Sequence, residues 1–163
     1  NEVKRELMVR KDAVAGVVYD TLKNKFIFVN QYRPGSNTEI IEIAAGTLDI
    51  EGEDPREAMI REIDEEIGYK TDKIVLIDEC YMSPGGSSEV ITIYYCEVSN
   101  KIHSGGGLEN EDIDVIEMDL DEVLSTRFRD AKTIIGINYI KHNLNNFKWK
   151  YYSICFYFCY CYC

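Results

Sequence analysis

Three glutamates, Glu62, Glu65 and Glu66, fall at i, i+3 and i+4 in a stretch that reads as a helix. On a helix such carboxylates lie within one turn of each other, and each like-charged pair costs roughly 0.2–0.5 kcal/mol. A divalent cation would offset that cost. Mg²⁺ takes carboxylate oxygens, keeps several waters and is usually completed by substrate phosphates; Mn²⁺ favours the same oxygen ligands. Arg61, one residue earlier, carries a planar fork that can brace a carboxylate or a phosphate. For three glutamates taken alone, a solvated acidic face is the plainer reading.

The elements that must position this cluster are legible around it. Asp54 suits an N-cap and Pro55 the first helical position. Arg56 to Ile67 holds no helix breaker, and Gly68 can take the left-handed conformation that closes a helix. Met59, Ile60, Ile63 and Ile67 recur at spacings of three and four, so this side is expected to pack on a sheet. The segment Gly46 to Glu53 leads into the helix as a loop.

The strands follow from runs of apolar and β-branched residues. Ala13–Tyr19 and Lys25–Arg33 read as a hairpin around the turn Asp20–Asn24. Thr38–Ala44 reads as a third strand with Glu39 and Glu42 on one face. After the helix, Lys73–Met82, Val90–Val98 and Ile113–Met118 read as strands, with a glycine-rich loop over Asn100–Gly107. Asp121–Ser125 begins a short helix, and Ala131–Leu144 is a longer one with Ile134, Ile135, Ile137 and Tyr139 among its apolar positions. The expected class is α+β, a mixed β-sheet sandwiched between helices. His103 and His142 are expected to face solvent.

The 163 residues suit one domain. The boundaries are drawn at 1–146 for the domain and 147–163 for a low-complexity aromatic and cysteine tail, whose Cys159, Cys161 and Cys163 alternate rather than follow zinc-site spacing. A net charge of −11 with no basic patch argues against nucleic acid as a partner. No apolar run reaches membrane-spanning length and no signal peptide is apparent, so no membrane partner is expected. Cys80 and Cys96 sit in apolar strands and read as buried free thiols, consistent with a reducing cytoplasm.

Gly46, Glu53, Arg61-Glu62, Glu65-Glu66 and Gly68 together resemble the Nudix box. From Glu53 onward the fit is complete, and before it six residues rather than the family's five separate Gly46 from Glu53. Gln31-Tyr32-Arg33, the run Tyr81 to Gly86 with Glu89, the segment Gly105 to Ile113 and Asp130 to Thr133 extend the resemblance to the nucleoside-diphosphate-sugar branch, the ADP-ribose and GDP-mannose pyrophosphatases. The resemblance implies the Nudix fold and Mg²⁺-dependent hydrolysis of a nucleotide sugar to a nucleoside monophosphate and a sugar phosphate. It implies metal ligation by Glu62, Glu66, Glu111 and the carbonyl of Ala45. It gives catalytic roles to Glu109, Glu65 and Arg61, with Glu109 orienting or deprotonating the attacking water. Arg33 would hold the diphosphate, and Ser83, Gly85, Gly86 and Glu89 would line the substrate site. It also implies a homodimer, weakened here because about a dozen residues stand where relatives carry additional N-terminal strands. Two other readings are a non-catalytic nucleotide-binding regulator and a triphosphatase that cleans the nucleotide pool.

Overall fold

The computed structural model describes residues 3–107, 113–145 and 147. Strand β1, Ala13–Asp20, is its axis: all eight residues are buried. Such a run needs cover on both faces. Along one edge β1 pairs in parallel with β6, Val90–Lys101. The other edge is shared. Its first half takes β4, Ala44–Thr47, and its second half takes β2, Lys25–Arg33, both antiparallel. β2 in turn pairs with β3, Thr38–Glu42, and β7, Asp114–Met118. β5, Tyr69–Tyr81, lies beside β6 with three register irregularities.

Residue alternation along β1 feeds two cores. Val14 and Val18 meet Ala58, Met59, Ile63 and Ile67 of the acidic helix. Ala13, Ala15, Val17 and Tyr19 meet α2, Leu120–Ser125, and α3, Ala131–His142, through Leu120, Val123, Ile137 and Ile140. Phe147 joins this second core, edge-on to Tyr19, Phe26 and Tyr95. The expected sandwich of helices around a mixed sheet is therefore observed. Gly136 makes the α3 approach possible: a Cβ there would sit 2.3 Å from Val17 Cγ2.

Two expectations change. The third strand breaks at Ile43, because β3 belongs to β2 and β4 to β1. At the crossing the Ile43 amide donates to Thr133 Oγ1 of α3 at 3.0 Å. Glu39 and Glu42 do not share a face. An offset of three reverses sides in a strand, leaving Glu39 exposed and Glu42 1% exposed. The acidic helix also differs. α1 runs Pro55–Glu62, with Asp54 accepting from the Arg56 amide, and the chain then widens into a π-helical turn, Ile63–Ile67. Ile63 and Ile67 are fully buried while Ile60 is only half-buried. An uninterrupted apolar period does not distinguish an α turn from a π turn, and single π turns are frequent at functional sites. Gly68 closes the segment at φ 74°.

Candidate active site

The acidic turn gathers around one cation. Arg61 Nε and Nη2 each donate to Glu53 at 3.1 Å, a two-pronged pairing. Arg61 Nη1 donates to Glu62 at 2.7 Å and Glu65 at 3.0 Å. Hydrogen bonding to Glu53 raises the Arg61 pKa against the opposing effect of burial, and the charge of Glu62 adds to the rise. The extra residue between Gly46 and Glu53 is absorbed in the loop, where Gly52 takes φ 78°. Glu53 consequently reaches Arg61 in register.

Glu62 and Glu66 are buried, at 9% and 5% exposure. Strand β4 is fitted to both. The Ala45 amide donates to Glu66 at 3.1 Å. A Cβ on Gly46 would sit 1.9 Å from Glu62 Cδ, so only glycine leaves room for that carboxylate. The loop after β6 closes the far side: Gly106 and Gly107 amides donate to the Glu66 and Glu65 carbonyls at 2.8 and 3.2 Å. His103, exposed as expected, also contacts Asp64 through Nε2 at 2.8 Å.

On the other side of β4 lies a cleft of about 730 Å³. Its walls include Ala45 and Gly46, together with Arg10, Lys11, Arg33, Met82, Glu89 and Lys132. Arg33 and Lys132 both pair with the buried Glu42. Lys132 also reaches Asp130 at 3.1 Å. Burial pushes the Asp130 carboxyl up, but the Lys132 charge and the Thr133 hydrogen bonds outweigh it and hold the pKa below its ordinary value. Arg10 pairs with Glu89 at 3.7 Å.

The expected substrate residues thus divide. Arg33 and Glu89 line the cleft. Ser83, Gly85 and Gly86 are not among its lining residues and form a turn instead: the Gly86 amide donates to the Ser83 carbonyl at 3.1 Å. That turn clasps the N-terminal segment, since Met8 donates to the Gly86 carbonyl at 2.8 Å and Arg10 to Ser88 Oγ at 2.9 Å. Ser88, two residues past that turn, also donates its hydroxyl to the Arg10 carbonyl at 3.2 Å. Glu109 and Glu111 lie outside the described residues, as do residues 148–163 of the tail. Sequence reasoning missed Arg10, Lys11, Glu42 and Lys132 as site residues. The available signal was Glu42 itself, an acid three residues after Glu39 and so on the opposite side of the strand, following Ile40 and Ile41.

Among the described residues no group of three or more His, Cys, Asp or Glu is arranged to hold a metal ion. The donor chemistry nonetheless fits one. Glu53, Glu62 and Glu65 set three carboxylates against one guanidinium, with Glu66 buried in the same turn, and hard oxygen donors with surplus negative charge suit Mg²⁺. Among the described residues, Glu62, Glu65, Glu66 and the Ala45 carbonyl would hold it. When bound, such an ion supplies neutralisation of a diphosphate's charge and a bound water of lowered pKa.

Comparison with known proteins fixes the class. Residues 9–135 match the NUDIX domain, and the chain belongs to that family; it is a Nudix hydrolase. It is 38% identical over 143 residues to a methanol dehydrogenase activator of Bacillus methanolicus, covering 85% of this chain and 76% of the relative. It is 32% identical over 150 residues to a GDP-mannose pyrophosphatase of Escherichia coli K12, covering 85% and 78%. The crystal structure of an ADP compounds hydrolase superposes with a TM-score of 0.70 at 21% identity, covering 83% of this chain and 73% of that one, a likeness of fold. The Escherichia coli relative supports the nucleoside-diphosphate-sugar pyrophosphatase branch. Among the described residues no helix is long and apolar enough to cross a membrane.

Proposed function

We propose that the protein hydrolyses the diphosphate bond of a nucleoside diphosphate sugar of the GDP-mannose, ADP-ribose or UDP-glucose type. Mg²⁺ is the proposed metal, with Mn²⁺ as a substitute. The carrying observation is that β4 belongs to two sites at once: Ala45 and Gly46 line the cationic cleft and also fit the Glu62 and Glu66 carboxylates. A diphosphate lying in the cleft would reach the acidic turn across that strand.

In the reaction, water oxygen bonds to one phosphorus as the bridging P–O bond breaks. The products are a nucleoside monophosphate and a sugar 1-phosphate or ribose 5-phosphate. Arg33 and Lys132 hold the phosphates, while Arg10, bonded through its backbone to Ser88 and paired with Glu89, closes the far wall. Arg61 orients Glu62 and Glu65. The resemblance gives Glu109 the role of orienting or deprotonating the water and makes Glu111 a further metal ligand. We assign the activity to residues 1–146, acting in the cytoplasm as a homodimer.

The test is direct. Pure protein with Mg²⁺ is expected to release monophosphate from at least one of GDP-mannose, ADP-ribose and UDP-glucose, read by ion-exchange chromatography. Release from none of the three refutes the reading, and preference for nucleoside triphosphates would replace it with nucleotide-pool cleaning. The Bacillus relative, named for activating a dehydrogenase, favours one second reading, that of a nucleotide-binding regulator. Tight calorimetric binding of these sugars without hydrolysis over hours would select it.

A further inference from the structure

Outside the acidic turn, two buried charged side chains face each other: Glu42 and Lys132, at 1% and 7% exposure. Buried ion pairs are often no more stabilising than apolar residues of similar volume, so packing alone does not account for this one. Its layout does suggest a purpose. Arg33 Nε bonds one Glu42 carboxylate oxygen and Lys132 Nζ bonds the other. Both cations line the cleft, whereas Glu42 is not among its lining residues. One carboxylate therefore stands behind two cations and sets their separation.

The support for that carboxylate is rigid. Glu42 pairs with Val29 in the β2–β3 ladder, and the next residue, Ile43, is tied to Thr133 of α3. Thr133 is itself fixed by Asp130 through its amide at 2.9 Å and its hydroxyl at 2.7 Å. Strand and helix are thus locked where they deliver Arg33 and Lys132. Without Glu42 the two like charges would repel, and the half-exposed Arg33 would lose its tether.

We propose that Glu42 is a positioning residue for the diphosphate: it holds Arg33 and Lys132 side by side so that the pair meets two adjacent phosphoryl groups. It touches no substrate itself and acts through those two side chains. The proposal rests on the reading of the cleft as a sugar-diphosphate site.

The experiment compares wild type, Glu42→Gln, Arg33→Ala and the double variant, each checked for folding by circular dichroism. Calorimetry with the α,β-methylene analogues of ADP-ribose, GDP-mannose and UDP-glucose reads affinity without turnover. Glu42→Gln is expected to weaken binding roughly tenfold, and the double variant to stay within about threefold of the weaker single one, as coupled residues do. On the hydrolysed sugar, KM should rise about tenfold while kcat stays within about threefold, the mark of lost uniform binding. Should Glu42→Gln not fold, Glu42→Asp keeps the charge, shortens the reach and is expected to show the same KM rise. Unchanged affinity in the folded variant, losses that multiply, or a fall in kcat at constant KM overturns the proposal while leaving the cleft assignment standing. If wild type binds none of the three analogues, the cleft assignment falls and this inference with it.

Discussion

At the acidic turn one cation, Arg61, is shared by Glu53, Glu62 and Glu65. Across β4 one carboxylate, Glu42, is shared by Arg33 and Lys132. The two clusters are near mirror images in charge, and strand Ala44–Thr47 separates them. They differ in how the chain assembles them. Arg61 and its partners lie one, four and eight residues apart, whereas Lys132 and Glu42 are ninety apart. Local spacing builds the first. The second exists only because β3 and α3 meet over the sheet. If the acidic turn does the chemistry and the cleft wall does the holding, substitutions on the two sides should separate rate from binding.

The largest effect is expected from Glu66→Gln, which keeps the shape and removes a charge. Turnover should fall by roughly a thousandfold or more, about 4 kcal/mol of barrier, with a melting temperature close to wild type. A rate within tenfold of wild type would place the chemistry elsewhere and dissolve the contrast between the two clusters.

A smaller effect is expected at the strand between them. Gly46→Ala inserts a methyl group where Glu62 Cδ now lies 1.9 Å away. The carboxylate must shift, and a displacement near 1 Å can cost on the order of a hundredfold in rate. Because Gly46 also lines the cleft, comparison with the Arg33→Ala variant sharpens the point. Gly46→Ala should depress kcat, whereas the Arg33 change should act on KM. Equal KM defects in both would mean that Gly46 serves the cleft alone.

The positions of these two variants also mark how far amino-acid spacing alone reaches. Glu62 and Glu66 follow from spacing, because a helix fixes neighbours within one turn, whereas Gly46 is picked out by the resemblance to the Nudix box. The π turn does not. Ile63 and Ile67 satisfy the apolar period in either helical form, and no breaker sits between them. The shared-face reading of Glu39 and Glu42 fails for a different reason: an offset of three places residues on opposite sides of a strand. That error hides the buried partner of Arg33 and Lys132. Lys132 itself sits in the first turn of α3, two residues after its N-cap Asp130, where a lysine reads as a surface residue. The docking of α3 on the sheet, through Ile137 and Ile140 and the Ile43–Thr133 bond, turns it inward.

The smallest expected effect tests whether the cleft cluster contributes to stability as well as binding. Asp130 caps α3 by accepting from the Thr133 amide and hydroxyl, and it pairs with Lys132. Its folded pKa lies below the ordinary carboxylate value because the Lys132 charge and the Thr133 bonds outweigh burial. A depressed folded pKa contributes stability above the unfolded value, near 3.9 for Asp, and loses it as pH falls through the folded value. Asp130→Asn keeps a cap but drops the charge. The melting-temperature gap between wild type and this variant should be flat from about pH 7 to pH 5 and close below about pH 4. Its size should be only about a few degrees, as expected for a change near 1 kcal/mol. A gap that persists unchanged to pH 3 would mean that the carboxylate's charge is not what steadies α3 against the strand, and that Thr133 alone holds Lys132 over Glu42.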